Sequence, residues 1–266
     1  MTKLAVIGAG KMAEAIIQGL ISKKVFAATE ITATDIATER LTYMNTQYGI
    51  RTSGNNLSPL REAAIVLLAV KPQTIAGVLE EIQAVGNTQQ IIISIVAGIP
   101  CKRIDPSGSK KIARVMPNTP SVVGQAASAV SFQGPFTEED RNTVLTIFNS
   151  IGLTLEVPEA QINAVTGLSG SGPAFVFYMM QAYIDAGIAH GLTPEVAKAL
   201  TYQTFIGSAL LAQSTGTPLS ELINNVTSPN GTTWAGRQIL EAGSLHTTIL
   251  QTVQRAKERA DELSKE

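Results

Sequence analysis

The sequence predicts an α/β protein in which a mostly parallel sheet is followed by an all-α region. Three observations carry that prediction. Short apolar runs, residues 4–7 and 64–70 among them, alternate with stretches of helical periodicity through residue 157, the pattern of parallel strands covered on both faces. The first run passes into Gly8-Ala9-Gly10-Lys11-Met12-Ala13 and then into Ala15, Ile16, Ile17, Leu20 and Ile21 at helical spacing. After Pro158 the strand-like runs cease and the pattern is almost wholly helical. This change of period sets the expected domains as residues 1–159 and 160–266.

Strand, glycine turn and helix at the start form a G-x-G-x-x-A pattern in the context that dinucleotide binding requires. Gly8 permits the tight turn, Gly10 lets the backbone approach a pyrophosphate, and Ala13 keeps the helix close to the sheet. The helix N-terminus then meets the ligand's negative charge. A Rossmann-like fold is the expectation. The next strand, within residues 30–36, brings Asp35 to where the adenine ribose binds; a carboxylate there accepts from both ribose hydroxyls and repels a 2′-phosphate, which leans towards NADH. Residues 64–70 end in Lys71-Pro72, as a central strand does where it meets the cofactor crevice. Residues 90–96 stop at Ala97-Gly98, a small-residue loop with room for a nicotinamide ring. Residues 112–116 and 126–132 read as two more strands around the irregular loop Pro117-Asn118-Thr119-Pro120. Thr137 caps a helix whose first turn carries Glu138, Glu139 and Asp140, and residues 153–157 supply the last strand.

The helical part is punctuated by Ser169-Gly170-Ser171-Gly172-Pro173, Gly191-Leu192-Thr193-Pro194 and Gly216-Thr217-Pro218, each a helix junction. Val176, Met180, Tyr183, Ile184 and Gly187 form an apolar stripe that Phe175 and Met179 widen, so this helix is expected to be covered on several sides. So much apolar surface in about a hundred residues is easier to cover when two copies interleave. Val226-Thr227-Ser228-Pro229-Asn230-Gly231-Thr232-Thr233 contains no acid, base or histidine and opens onto a helical pattern. Pro229 and Gly231 shape that turn. Unpaired N–H groups of Gly231, Thr232 and Thr233 at the helix start are expected to hold a carboxylate or phosphate, with two threonine hydroxyls as added donors or acceptors. In the last segment, 245–265, Leu245, Ile249, Val253, Ala256 and Ala260 share one face, which reads as packing.

Composition bounds the function. A net charge of −1 gives no general attraction for nucleic acid or an anionic membrane, and neither partner is expected. One cysteine, Cys101, excludes an intrachain disulfide, and the N-terminus passes into a strand without a signal region, so a cytoplasmic location is expected. No apolar stretch has membrane-spanning length, and two histidines are too few for a histidine-rich site, so no metal is expected.

Together these motifs resemble one family along the whole chain, the pyrroline-5-carboxylate reductases. The matching residues are 7–13, Ala69-Val70-Lys71-Pro72-Gln73, Arg114-Val115-Met116-Pro117-Asn118-Thr119-Pro120, Ser169-Gly170-Ser171-Gly172-Pro173-Ala174 and the loop 227–233. The resemblance implies NAD(P)H-dependent reduction of the cyclic imine of 1-pyrroline-5-carboxylate to L-proline. It implies homodimers formed by the helical domain, further assembly into decamers, and a site between one subunit's cofactor domain and its partner's helices. Carried over by position, Ile7, Gly8, Ala9, Gly10, Lys11, Met12, Asn56, Ala69, Val70, Lys71 and Pro72 touch the cofactor, beside Asp35, Ala97 and Gly98 from the strand-end reading. Ser228, Gly231, Thr232 and Thr233 hold the substrate, and the Thr233 hydroxyl faces the ring nitrogen as the catalytic group. The chain departs from the family pattern at Asn230, commonly glycine, and at Asp35-Ile36, where many relatives have a phosphate-binding turn. A related dehydrogenase chemistry that uses a lysine on the first long helix is disfavoured, since no lysine lies between Lys111 and Lys198. A dinucleotide-sensing regulator is disfavoured because no DNA-binding extension is present.

Overall fold

The computed structural model of the chain describes residues 2–265. In chain order the elements are β1 (Leu4–Ile7), α1 (Lys11–Ser22), β2 (Ile31–Thr34), α2 (Thr38–Tyr48), β3 (Arg51–Ser53), α3 (Leu57–Glu62), β4 (Ile65–Leu68), α4 (Ile75–Val85), β5 (Ile91–Ser94), α5 (Cys101–Ile104), β6 (Lys111–Met116), β7 (Ala126–Gln133), α6 (Glu138–Asn149) and β8 (Gly152–Glu156). Helices follow: α7 (Ile162–Val165), α8 (Gly172–Ala189), α9 (Pro194–Thr215), α10 (Leu219–Asn225), α11 (Thr232–Ala242) and α12 (Leu245–Leu263).

The eight strands form one sheet in the order β3-β2-β1-β4-β5-β6-β7-β8. Strands β1 to β6 are mutually parallel, β7 runs antiparallel to β6, and β8 runs parallel to β7. The continuous apolar runs are explained by burial on both faces. Leu4 and Val6 of β1 join Ile65, Leu67, Ile91 and Ile93 in a core beneath α1 and α6, while Ala5 and Ile7 join Val66, Leu68 and Ile92 in a second core beneath α3 and α4. Helix α1 supplies Ala13, Ile16, Ile17 and Leu20 to the first core, the 3.6-residue stripe read from the sequence. Thr137 caps α6 in a reciprocal box: its hydroxyl accepts from the Asp140 N–H, and the Asp140 carboxylate accepts from the Thr137 N–H at 2.9 Å.

The chain divides into two compact units, Met1–Ser171 with Gln254–Glu266, and Gly172–Val253. The expected division at 159/160 falls three residues beyond the end of β8 at Glu156. Residues 160–171 nevertheless pack with the sheet, because Ile162 is fully buried and Asn118 Nδ2 donates to the Ser169 carbonyl at 3.0 Å. The end of α12 is fastened to the same unit by the Asn163 amide, which donates to Asp261 Oδ1 at 2.7 Å.

The second unit differs from expectation in one respect. Helix α8 has no buried residue, and Tyr178 is 80% exposed, so the helix is not covered on several sides within its own chain. Its contacts run to α9, where Tyr183 meets Phe205 edge to face at 5.4 Å between centroids. Amphipathic spacing reports that a surface is apolar and leaves open which molecule covers it.

Candidate active site

Strand order reverses between β1 and β4, so the carboxyl ends of these two strands open a crevice at the topological switch point. The glycine turn after β1 lies there. Gly8 has φ +95°, and a Cβ on it would sit 2.8 Å from the Ala69 carbonyl oxygen, so both conformation and space demand glycine. Gly10 differs: its φ is −68°, and a Cβ there would meet nothing within 4 Å. The N–H groups of Gly10, Lys11 and Met12 have no partner among the described residues. Free donors at the start of a helix, beside the open space at Gly10, fit the pyrophosphate of a dinucleotide.

The other expected cofactor residues follow β2, β4 and β5 or, in the case of Asn56, precede α3. Asp35 follows β2, and its carboxylate accepts from the Ala9 N–H and the Ala37 N–H, both at 2.9 Å, one on each oxygen. A lone pair remains on each oxygen for a ribose hydroxyl. Asn56 Oδ1 accepts from the Thr34 hydroxyl at 2.6 Å, and its amide donates to Glu81 Oε2 at 2.7 Å. Ala69 and Val70 are half-buried after β4, with Lys71 and Pro72 exposed beyond them. After β5, Ala97 is exposed while Gly98 is covered by the last turn of α12, where a Cβ on it would sit 3.0 Å from the Leu263 carbonyl oxygen.

Sequence reasoning missed a polar cluster behind the glycine turn. Arg40 on α2 donates through Nε to the Ala9 carbonyl and through a terminal nitrogen to Glu14 on α1. Tyr43 and Tyr48 donate their hydroxyls to the other Glu14 oxygen, each at 2.9 Å. Burial opposes ionisation of Glu14, but the bonds from Arg40, Tyr48 and Tyr43 and the Arg40 charge outweigh it and bring the carboxyl down to about 2. Burial, with Glu14 next, pushes the Tyr48 hydroxyl well above the ordinary phenol range. The one available signal was Arg40 and Tyr43 at i, i+3 on a helix, which names no partner.

In the second unit, the loop before α11 is built as a turn. Asn230 adopts φ +58°, the left-handed region that asparagine tolerates and glycine would enter freely. The Gly231 N–H donates to the Ser228 carbonyl at 3.0 Å, so it is not the unpaired donor expected from sequence. The turn closes on itself through that bond and displaces the free set by one residue. Among the described residues the N–H groups of Thr232, Thr233 and Trp234 have no partner, nor do the hydroxyls of Thr232 and Thr233. Thr233 also lines a groove of about 920 Å³ with Thr227, Arg237, Leu240, His246 and Ile249.

Chemistry beyond positioning is sparse. Cys101 is buried, and burial together with the neighbouring Glu159 pushes its thiol up to about 12, which leaves it an inert core residue. Among the described residues no group of three or more His, Cys, Asp or Glu side chains is placed to hold a metal, and no helix is long and apolar enough to cross a membrane.

Comparison with known proteins gives matches over the same regions. Residues 3–98 match the family of NADP oxidoreductases, coenzyme F420-dependent, and residues 159–263 match the pyrroline-5-carboxylate reductase dimerisation family. A pyrroline-5-carboxylate reductase from Methanosarcina acetivorans is 38% identical over 99% of this chain and 98% of its own. Among solved structures, a pyrroline-5-carboxylate reductase from Coxiella burnetii superposes with a TM-score of 0.93 at 34% identity, covering 100% of this chain and 99% of the other. A pyrroline carboxylate reductase from Plasmodium falciparum, with NADP bound, superposes at 0.87 and 28% identity, covering 99% and 98%.

Proposed function

The chain belongs to the pyrroline-5-carboxylate reductase family, and from that membership we infer its reaction and the part each residue plays. It catalyses NAD(P)H-dependent reduction of the cyclic imine of 1-pyrroline-5-carboxylate to L-proline, the last step of proline biosynthesis. The observation that carries the reading is the glycine turn at the β1/β4 switch point, with three free N–H groups around the open face of Gly10.

A protonated cyclic imine is already electrophilic, so the protein needs to position it more than to activate it. NAD(P)H, when bound, supplies the hydride. The N–H groups of Gly10, Lys11 and Met12 hold its pyrophosphate, Asp35 and Asn56 meet the adenosine end, and residues 69–72 with Ala97 border the rest. The N–H groups of Thr232 and Thr233, joined by that of Trp234, hold the substrate carboxylate against the positive end of α11. Ser228 and Gly231 contribute the shape of the turn. The Thr233 hydroxyl orients the ring nitrogen and relays its proton, a role supported by its having no partner among the described residues.

Asp35 favours NADH, because a 2′-phosphate would add negative charge beside a carboxylate. Following NADH and NADPH absorbance separately with the purified protein and pyrroline-5-carboxylate is expected to show oxidation of both, faster with NADH. Asp35→Ser is expected to shift the ratio towards NADPH. Preference of the unaltered protein for NADPH keeps the reaction and removes the role of Asp35; no oxidation of either removes the reaction.

The unit is a homodimer through its helical region, with further assembly into decamers. Support comes from the dimerisation family match and from large apolar side chains left open in the single chain, Ile239 at 74% and Leu250 at 58% among them. Sedimentation at micromolar concentration is expected to give a dimer or a multiple of it, and a monomer would remove this reading. We read the compartment as the cytoplasm, supported by the single cysteine.

A further inference from the structure

We propose that Arg40 is a positioning residue for the dinucleotide: by holding the Ala9 carbonyl, it turns the Gly10 N–H towards the pyrophosphate. The inference rests on the cofactor reading above. Ala9 C=O and Gly10 N–H belong to one peptide plane, and in a trans peptide the two point in opposite directions. Anchoring the oxygen on Arg40 therefore fixes where the donor points, and the side of Gly10 is where open space lies. The preceding peptide is pinned as well, since the Ala9 N–H is held by Asp35 at 2.9 Å. With both flanks fixed, the turn enters binding already ordered.

Arg40 is itself held. Its guanidinium pairs with Glu14 and lies 4.9 Å from the Tyr43 ring centroid, and Glu14 is fixed in turn by the hydroxyls of Tyr43 and Tyr48. The cluster ties α2 to the first turn of α1, so the loop between β1 and α1 is braced from outside its own sequence. This arrangement also sets what Arg40 recognises. With Nε on the Ala9 carbonyl and one terminal nitrogen on Glu14, that edge of its fork is committed to the turn and the cluster behind it. It acts on the pyrophosphate that both nicotinamide cofactors share, and the 2′ position is left to Asp35.

The test is binding without turnover, by titrating the unaltered protein and Arg40→Met with NADH, NADPH and adenosine, the last followed by NMR. Affinity for NADH and NADPH is expected to fall in parallel, roughly tenfold to a hundredfold, the scale of a lost hydrogen bond to a charged group. Adenosine, which lacks the pyrophosphate, is expected to bind as before. Unchanged NADH and NADPH affinities overturn the inference. A loss confined to NADPH overturns it too, by making Arg40 a reader of the 2′-phosphate, and an equal loss for adenosine overturns it by reducing the effect to general damage. Arg40→Lys, which keeps the charge for Glu14 but lacks the fork to span both acceptors, is expected to give the same parallel loss with a milder fold change and covers the case in which Arg40→Met does not fold. If the unaltered protein binds neither NADH nor NADPH, the cofactor reading beneath the inference fails instead.

Discussion

Thr233→Ala is expected to lower turnover by roughly tenfold to a thousandfold, the scale of a lost positioned proton donor or oriented hydrogen bond, while the protein melts at an unchanged or slightly higher temperature. The stability half of this result follows from the structure. The Thr233 hydroxyl makes no bond to any described residue, Thr233 is exposed, and it lies in the first turn of α11, where alanine is the better helix former. Nothing internal is broken by its removal. The activity half follows from the proposed chemistry: the carboxylate is held by backbone N–H groups that any side chain at 233 leaves in place, so KM should move less than kcat. Steady-state kinetics with pyrroline-5-carboxylate at saturating cofactor, beside a thermal melt, checks both halves. Unchanged kcat would remove Thr233 from the reaction, and a fall in melting temperature would show that the hydroxyl serves the fold.

Gly10→Ala is expected to abolish measurable NADH and NADPH binding at cofactor concentrations that saturate the unaltered protein, with the fold intact. A methyl group at Gly10 strikes no protein atom and the backbone conformation suits any residue, so the cost to stability is that of exchanging a glycine cap for alanine, at most about 1 kcal/mol. What the methyl fills is the space in front of the free N–H groups of the turn. Gly8→Ala provides the contrast: at φ +95° and 2.8 Å from the Ala69 carbonyl oxygen, it is expected to lower both stability and binding. Fluorescence titration and a melting curve for the two variants separate them. Tight binding by Gly10→Ala would mean that the pyrophosphate does not approach this turn.

How much of the site could be read from the sequence depends on the range of the interactions involved. The glycine turn was legible because strand, turn and helix follow one another within the first twenty-two residues, and each obeys a local rule. Asn230 was legible as a residue able to replace glycine, and it takes the left-handed conformation that the position requires. The Gly231 N–H was misjudged because its bond to Ser228 depends on the backbone angles between them, which composition does not fix. Arg40 and Glu14 stand 26 positions apart, and only the crossover between adjacent parallel strands brings them together behind the turn.

The sequence by itself determined the succession of strands and helices, the glycine turn after β1 and the start of α11, since periodicity, glycine placement and helix capping act within a few residues. It also determined that the helical region carries more apolar surface than one chain hides. The tertiary structure alone decided which donors are free, which carboxylates are already engaged, and that residues 160–171 and the end of α12 belong with the sheet. Hydrogen-bond partnership and burial are set by distance in space, and that distance is fixed only when the sheet order has been.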